Sequence, residues 1–545
     1  MTRKEASLTQ SYWPADKTRD VLAISIGEAL RGAAATEPDR TALVEVVPEG
    51  MASLTGASRT DRRWTYQQLL DEAQDCAHWL LSHFEPGEHV CLWAPNVPEW
   101  VILQYGAALA GLVLVTANPA LREDELRYVL RQSRSAGLIH APAFRGTDMA
   151  AIARSVEQEV RFTFCLADWQ SVVAGHAHNG TLPIVSPDAP AQIQFTSGTT
   201  GRPKGALLHH MGLLTNASFV AARTGLYRSV RVSPMPLFHT AGSGTTVLGC
   251  LTTMSTLVLP LMFDPPAILQ AVQRERAQML AGVPTMHIAL LEYLKDHPYD
   301  VSSLRIAMSG GAPVPPELLR RIEAGFGCDL LTVYGQTELS PIVCQTGPED
   351  SLEDKANTAG RPLWHVEVRI ADPAGEEILP TRGEGEIQAR GYQGMIGYFG
   401  MPDATAQTIT ADGWLRTGDL GTMDQRGYVR ITGRLKDMII RGGENIYPAE
   451  VEARLLEHPA VSDVAVFGLS DPTWGEVVAA AIRLHADALL PAASELRDHC
   501  RAALAPQKAP EAWFLCEAFP LTGSGKIQKF RLRESAAAGE LSPIA

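Results

Sequence analysis

Ten consecutive residues concentrate groups that can hold a polyphosphate: Thr196-Ser197-Gly198-Thr199-Thr200-Gly201-Arg202-Pro203-Lys204-Gly205. Four of them carry hydroxyls and three are glycines. Hydroxyls and backbone amides donate to phosphate oxygens, glycines let the backbone close around them, and the Lys204 ammonium adds positive charge. The string follows an apolar strand pattern, Ile193 to Phe195. It is not a P-loop, because Gly-Lys-Ser/Thr is missing. By composition alone an ordinary surface loop of turn formers would compete with this reading. The complete ten-residue string weighs against it.

Four more segments follow in order: Tyr334-Gly335-Gln336-Thr337-Glu338, Thr417-Gly418-Asp419, Gly433-Arg434-Leu435-Lys436-Asp437 and Pro520-Leu521-Thr522-Gly523-Ser524-Gly525-Lys526-Ile527. With the first string, they resemble the motifs of the adenylate-forming superfamily, which holds acyl-CoA synthetases, peptide-synthetase adenylation domains and beetle luciferases. Any one match could arise by chance; five in sequence along most of the chain do not.

That resemblance implies a role for each residue. Thr196 through Gly201, with Lys204, would cradle the phosphates of ATP. Glu338 is a hard oxygen ligand suited to Mg²⁺ on those phosphates, although alone it would read as a solvated carboxylate. Tyr334, beside Gly335, offers a flat face to adenine, its bland alternative being a core aromatic. Thr337 would bond a phosphate oxygen. Ser309-Gly310-Gly311-Ala312-Pro313 resembles the turn that approaches adenine and the acyl group, where glycine allows close approach; a plain tight turn stays open. Asp419 would accept from the ribose hydroxyls, or close an Asx-type turn after Gly418, and both can hold. Arg434 would donate to the same sugar or make a surface salt bridge. Lys526, between two glycines, is implied to steady the carboxylate and α-phosphate as charge builds. Lys529 is a weaker candidate for that role.

Chemistry of this kind needs charge neutralisation and positioning rather than a nucleophilic side chain, because the substrate carboxylate itself attacks the α-phosphorus of ATP. A thiol then attacks the adenylate and AMP leaves. Family members serve the two steps with two orientations of a small domain. Lys436 matches the hinge. Gly442 and Gly443, in Arg441-Gly442-Gly443-Glu444-Asn445, match the lining of the pantetheine tunnel, Gly443 being the glycine where a side chain would block passage. His239 resembles a position that moves as the adenylate forms, with a packed, hydrogen-bonded histidine an equal alternative.

The elements that must position these residues alternate. Trp64 to Leu81 reads as a helix, His89 to Trp93 and Val113 to Val115 as buried strands, Val230 to Pro234 as another, with helices after His210 and Gly242. Strands alternating with helices predict a largely parallel α/β sheet. The apolar stretches Trp100 to Ala117 and Val247 to Phe263 each fit a buried helix followed by a buried strand better than a membrane span. Past Arg434 the units shorten. A helix from Pro448 with Val451, Leu455 and Leu456 on one face, strands at Val464 to Phe467, Val477 to Ile482 and Trp513 to Cys516, and a helix from Ala492 to Ala505 predict a compact α+β domain. The expected fold is therefore α/β, with a large N-terminal domain of layered sheets over residues 1–435 and a small mobile C-terminal domain over 436–545.

The length of 545 residues suits more than one domain. A formal net charge of -14 argues against nucleic acid as the main partner, since phosphate-backbone binding needs a basic footprint. Eight cysteines without a Cys-x-x-Cys pair suit thiols in a reducing compartment rather than disulfides or zinc. The first twenty residues lack the apolar core of a secretory signal, so a cytoplasmic protein is expected. A homodimer is left open.

Asp437 to Glu450 and Ser524 to Lys529 resemble acyl-CoA synthetases, most closely the medium-chain fatty acyl branch, more than amino-acid adenylation domains. The implied co-substrates are ATP with Mg²⁺, a carboxylic acid and coenzyme A. Small or apolar residues near Phe238 to Gly244 and Ser309 to Pro313 favour an uncharged acyl group. Gly242 and Gly244 would permit a wide pocket, so medium-chain and bulky apolar acids both fit. The alternative is an acyl-AMP ligase that loads a carrier protein.

Overall fold

The computed structural model describes residues 7–58, 60–173, 180–196, 203–312, 314–373, 377–442, 444–521 and 527–545. The chain forms two compact units. The larger comprises Trp13–Glu367 and Ala389–Leu415, and the smaller comprises the N-terminal residues up to Tyr12, Val368–Gln388 and Arg416–Ala545. The fold class is α/β, with one large and one small unit.

Two sheets organise the large unit. In the first the order is Gly397–Tyr398, Lys204–His209, Pro190–Thr196, Val113–Ala117, His89–Trp93, Gly137–His140, Phe162–Cys165. From Pro190–Thr196 onward pairing is parallel, while Lys204–His209 and Gly397–Tyr398 add antiparallel edges. In the second the order is Arg361–Pro362, Ile342–Gln345, Asp329–Gly335, Ile306–Gly310, Met279–Gly282, Val230–Val232, Thr256–Pro260, Thr41–Val46, Arg63–Thr65. Its strands from Asp329–Gly335 to Thr41–Val46 are parallel.

Local chemistry explains the helices that cover these sheets. Thr65 and Gln68 form a reciprocal capping box that starts helix Tyr66–Leu81, so Trp64 belongs instead to the strand Arg63–Thr65. Helices Pro98–Ala110, Pro265–Glu275, Pro284–Asp296 and Pro316–Phe326 each open on a proline, whose missing N–H costs nothing there. Every residue of Pro98–Ala110 is buried, and the strand Val113–Ala117 after it is buried throughout, as the apolar run predicts. The other apolar run closes helix Ala241–Leu248, continues as Gly249–Thr252 and ends in strand Thr256–Pro260. Ile268, Val272, Leu290, Leu319, Ile322 and Phe326 from the helices pack on Val232, Val258, Leu280, Ala307 and Leu330 from the second sheet. Each of the larger side chains, Ala307 aside, contributes about 1.5–3 kcal/mol by leaving water. Among the described residues no helix is long and apolar enough to cross a membrane.

In the small unit, strands Leu415–Met423 and Val429–Arg434 form an antiparallel ribbon. After it a sheet runs Glu444–Ile446, Ile439–Arg441, Gly475–Leu484, Ala512–Leu515, Ser542–Pro543, with Val461–Asp471 also paired to Gly475–Leu484. Pro448 opens helix Pro448–Leu456, which buries Val451 and Leu455. Leu456 departs from the expected apolar face and lies exposed at 39%. The helix expected from Ala492 to Ala505 spans Ala493–Arg501, and the chain then tightens into Pro506–Lys508.

Candidate functional site

The described ends of the ten-residue string belong to two antiparallel strands in the large unit. Thr196 closes strand Pro190–Thr196, Lys204 opens strand Lys204–His209, and the two are register partners. The Thr196 hydroxyl donates to the Lys204 carbonyl at 3.4 Å. Ser197, Gly198, Thr199, Thr200 and Gly201 lie outside the described residues. The Lys204 ammonium stands 4.8 Å above the centre of the Tyr398 ring. The Tyr398 hydroxyl donates to Glu338 Oε1 at 2.7 Å. Burial, and after it the Glu338 charge, pushes the phenol well above its ordinary value, so it stays a donor.

Glu338 is held by its neighbours on both sides. Strand Asp329–Gly335 runs into a single 3₁₀ turn, Thr337–Leu339, in which Thr337 and Glu338 are both buried. The Met395 amide donates to the Glu338 carbonyl at 2.8 Å. Tyr334 is buried in that strand, and Gly310 ends the adjacent parallel strand opposite Val333. Gly310, Gly311, Ala312, Tyr334 and Gly335 thus cluster at the carboxyl ends of two neighbouring parallel strands, where open α/β sheets bind ligands. The glycines there answer to close packing by neighbouring backbone and side chains. A Cβ on Gly335 would meet the Pro341 oxygen at 1.9 Å, and one on Gly310 would meet Val333 Cγ2 at 2.5 Å. Gly311 has φ +79°, the left-handed region.

His239 precedes a turn of π-helix, Ala241–Leu248, a wide-turn geometry frequent at functional sites. Its Nδ1 accepts the Ala241 amide at 3.2 Å, and its carbonyl accepts the Gly242 and Ser243 amides. The histidine is therefore part-packed and hydrogen-bonded. Gly242 does not open a pocket: a Cβ there would meet the Pro236 oxygen at 2.2 Å, so tight backbone packing explains that glycine. At Gly244 a Cβ would make only ordinary contacts, the nearest at 3.7 Å.

In the small unit, Asp419 and Arg434 are directly opposed on the antiparallel ribbon. Arg434 Nε lies 3.2 Å from Asp419 Oδ1. The Asp419 amide is taken by the Thr417 hydroxyl at 3.1 Å, and Gly418, at φ +69°, donates to Glu386 Oε1 at 3.0 Å. The Thr417 hydroxyl thus holds the backbone of this turn at Asp419. Lys436 lies in the 3₁₀ turn Leu435–Asp437 that follows. Gly442, at φ +58°, donates to the Trp474 carbonyl at 2.7 Å in the hairpin joining Ile439–Arg441 to Glu444–Ile446; Gly443 lies outside the described residues. So does Lys526. On either side of it, Leu521 bridges Ile527 and the Gln528 amide donates to the Pro520 carbonyl at 2.8 Å. Lys529 is engaged elsewhere, 2.6 Å from Glu452 Oε1.

Comparison with known proteins decides the family. The model for AMP-binding enzymes matches residues 30–399, and the model for the AMP-binding enzyme C-terminal domain matches 450–526. The chain belongs to the AMP-binding enzyme family. YngI of Bacillus subtilis (strain 168), provisionally named an acyl-CoA synthetase, is 37% identical over 94% of this enzyme and 96% of its own chain. The mitochondrial medium-chain acyl-CoA ligase ACSF2 of Macaca fascicularis is 35% identical over 96% of this enzyme and 89% of its own chain. Among solved structures, o-succinylbenzoate CoA synthetase (MenE) from Bacillus subtilis, in complex with the acyl-adenylate intermediate OSB-AMP, aligns with TM-score 0.81 at 30% identity. That alignment covers 93% of this enzyme and 97% of MenE. The same synthetase has been solved with ATP and a magnesium ion.

The donor set of this AMP-binding enzyme fits magnesium. Among the described residues no group of three or more His, Cys, Asp or Glu could hold a metal ion by itself. Glu338 offers one carboxylate, with Oε1 fixed by Tyr398 and Oε2 taking no donor among the described residues. A lone carboxylate suits Mg²⁺, which keeps waters and takes phosphate oxygens for its other ligands. Tyr398 is the residue that sequence reasoning missed. It carries no motif of its own, and its place beside Lys204 and Glu338 arises only when three distant segments fold together.

Proposed function

We propose that this enzyme activates a carboxylic acid with MgATP through an acyl-adenylate and transfers the acyl group to coenzyme A, releasing AMP and pyrophosphate. The observation that carries the reading is the grouping of Lys204, at the stem of the phosphate-binding string, with the Tyr398-bound Glu338. It supplies a phosphate-facing cation and a metal-ready carboxylate in one place. The family membership and the likeness to acyl-CoA ligases support the same chemistry.

In the first half-reaction the substrate carboxylate attacks the α-phosphorus, and the bond to pyrophosphate breaks. The string from Thr196 to Lys204 binds the phosphates, and Thr337 donates to one of them. Magnesium, when bound at Glu338, neutralises phosphate charge. Tyr334, Gly335 and the Gly310-Gly311-Ala312 turn receive adenine. Asp419 accepts from the ribose hydroxyls while Arg434 holds its carboxylate in place. Lys526 steadies the α-phosphate and the attacking carboxylate as charge builds. That Lys529 is paired with Glu452 supports Lys526, rather than Lys529, as the catalytic amine. In the second half-reaction the thiol of CoA attacks the acyl carbonyl, AMP leaves, and Gly442 and Gly443 line the pantetheine path.

Lys436 is the hinge we assign, with functional domains 1–435 and 436–545. These limits mark where the chain would turn, whereas the compact units mark where it packs, so the two need not coincide. His239 moves as the adenylate forms. The acid is medium-chain or bulky and apolar, in fatty acid metabolism. A cytoplasmic setting is supported by eight cysteines that are all free thiols.

The test is a mass-spectrometric screen of carboxylic acids with ATP and Mg²⁺, each run with and without CoA. Acyl-CoA formed from a subset of acids is the expected result and names the substrate class. Acyl-adenylate that accumulates without thioester would refute CoA as acceptor and point to a carrier protein.

A further inference from the structure

We propose that Tyr398 is a positioning residue that holds the phosphate-string lysine and the metal-binding carboxylate apart and in register, so that neither neutralises the other before MgATP arrives. The inference rests on the roles assigned above to Lys204 and Glu338. An ammonium and a carboxylate close together on a partly buried surface attract each other, and a direct ion pair would use up both ligand-binding groups. Here they make no ion pair. Tyr398 stands against both, presenting its ring face to the Lys204 ammonium at 4.8 Å and its hydroxyl to Glu338 Oε1 at 2.7 Å.

The two contacts act differently. The ring quadrupole attracts the cation without consuming its N–H donors, which stay available to phosphate oxygens. The hydroxyl occupies one carboxylate oxygen with a neutral donor, fixing the rotamer and leaving the full charge for the ion at Oε2.

The backbone makes this spacing rigid. Tyr398 pairs with Ala206 and Gly397 with Leu207, on the strand that Lys204 opens. The Phe399 amide donates to the Gly205 carbonyl at 2.8 Å, one residue from Lys204. Three residues before Tyr398, the Met395 amide donates to the Glu338 carbonyl. The Tyr398 amide is itself held by the Thr405 hydroxyl at 2.9 Å. A five-residue segment is therefore tied to the stem of the phosphate string at one end and to Glu338 at the other.

The test is calorimetric ATP binding to the full-length enzyme at stepped Mg²⁺ concentrations, which needs no acid substrate. Tyr398→Phe keeps the ring and removes the hydroxyl. The Mg²⁺ concentration for half-maximal binding should rise about tenfold, the low end for losing a hydrogen bond to a charged group, with ATP affinity in excess Mg²⁺ nearly unchanged. Tyr398→Leu removes the spacer, so both should weaken. Adding Lys204→Met to Tyr398→Leu should then bring the Mg²⁺ requirement back to the Tyr398→Phe level, because no ammonium is left to pair with Glu338. Normal binding by the unaltered enzyme with no shift in Tyr398→Phe overturns the inference alone. So does a Tyr398→Leu defect that Lys204→Met leaves in place. Failure of the unaltered enzyme to bind ATP overturns the inference together with the proposed function.

Discussion

Replacing Asp419 by alanine separates the ribose role from a structural one. Arg434 Nε approaches Asp419 Oδ1 at 3.2 Å, and the arginine side chain is 42% exposed. Half-exposed pairs contribute little to stability, so losing the pair with Arg434 should by itself cost under about 1 kcal/mol of folding free energy. The same carboxylate, itself nearly buried, would accept hydrogen bonds from two sugar hydroxyls. Each such bond to a charged group is worth about 2 kcal/mol, which is about 30-fold in kcat/KM per hydroxyl. The assay is acid-dependent exchange of pyrophosphate into ATP, run with ATP, 2′-deoxy-ATP and 3′-deoxy-ATP. The unaltered enzyme should discriminate against both deoxynucleotides by about this factor. Asp419→Ala gives up both bonds, so it should slow with ATP by as much as about 900-fold, below the rate of the unaltered enzyme with either deoxynucleotide, and lose the discrimination, while its urea unfolding midpoint barely moves. Unaltered discrimination in Asp419→Ala would refute the ribose assignment. A large loss of stability would show that the pair holds the ribbon together instead.

Three further outcomes are expected. Lys526→Ala should abolish most adenylation while largely sparing thioester formation from preformed acyl-adenylate, whereas Lys529→Ala, which only breaks the pair with Glu452, should stay within about twofold of normal; equal loss in both half-reactions for Lys526→Ala would refute its role. His210 and His287 are held neutral by burial, each down to about 4. Between that value and the unfolded value the unfolded chain binds protons that the folded one does not, so stability falls as pH drops through about 6.5 to 4, by about 3 kcal/mol per histidine; urea unfolding at stepped pH should show this slope, and His287→Gln should flatten it. Gly335→Ala forces a Cβ to within 1.9 Å of the Pro341 oxygen, so it should cost at least about 2 kcal/mol in urea unfolding even with no nucleotide present; an unchanged midpoint would show that the strand return yields.

How much was legible in the sequence follows from which interactions are local. The buried helix and strand at Pro98–Ala110 and Val113–Ala117, the capped helix at Tyr66–Leu81 and the proline-opened helix at Pro448 depend on hydrophobic period, caps and fixed φ, all written within a few residues. The family was also legible, because contiguous strings such as Thr196 to Gly205, which we assign to nucleotide binding, carry their resemblance in residue type and order. Local rules misjudged Leu456, whose apolar side chain faces solvent, and Gly242, whose missing side chain answers to the Pro236 carbonyl rather than to a ligand. Only the tertiary structure brought Asp419 opposite Arg434, engaged Lys529 with Glu452, and set Tyr398 between Lys204 and Glu338. Those pairings depend on strand register and on segments far apart in the chain, and a one-residue slip in register would turn the side chains to the other face without changing any string a reader could recognise.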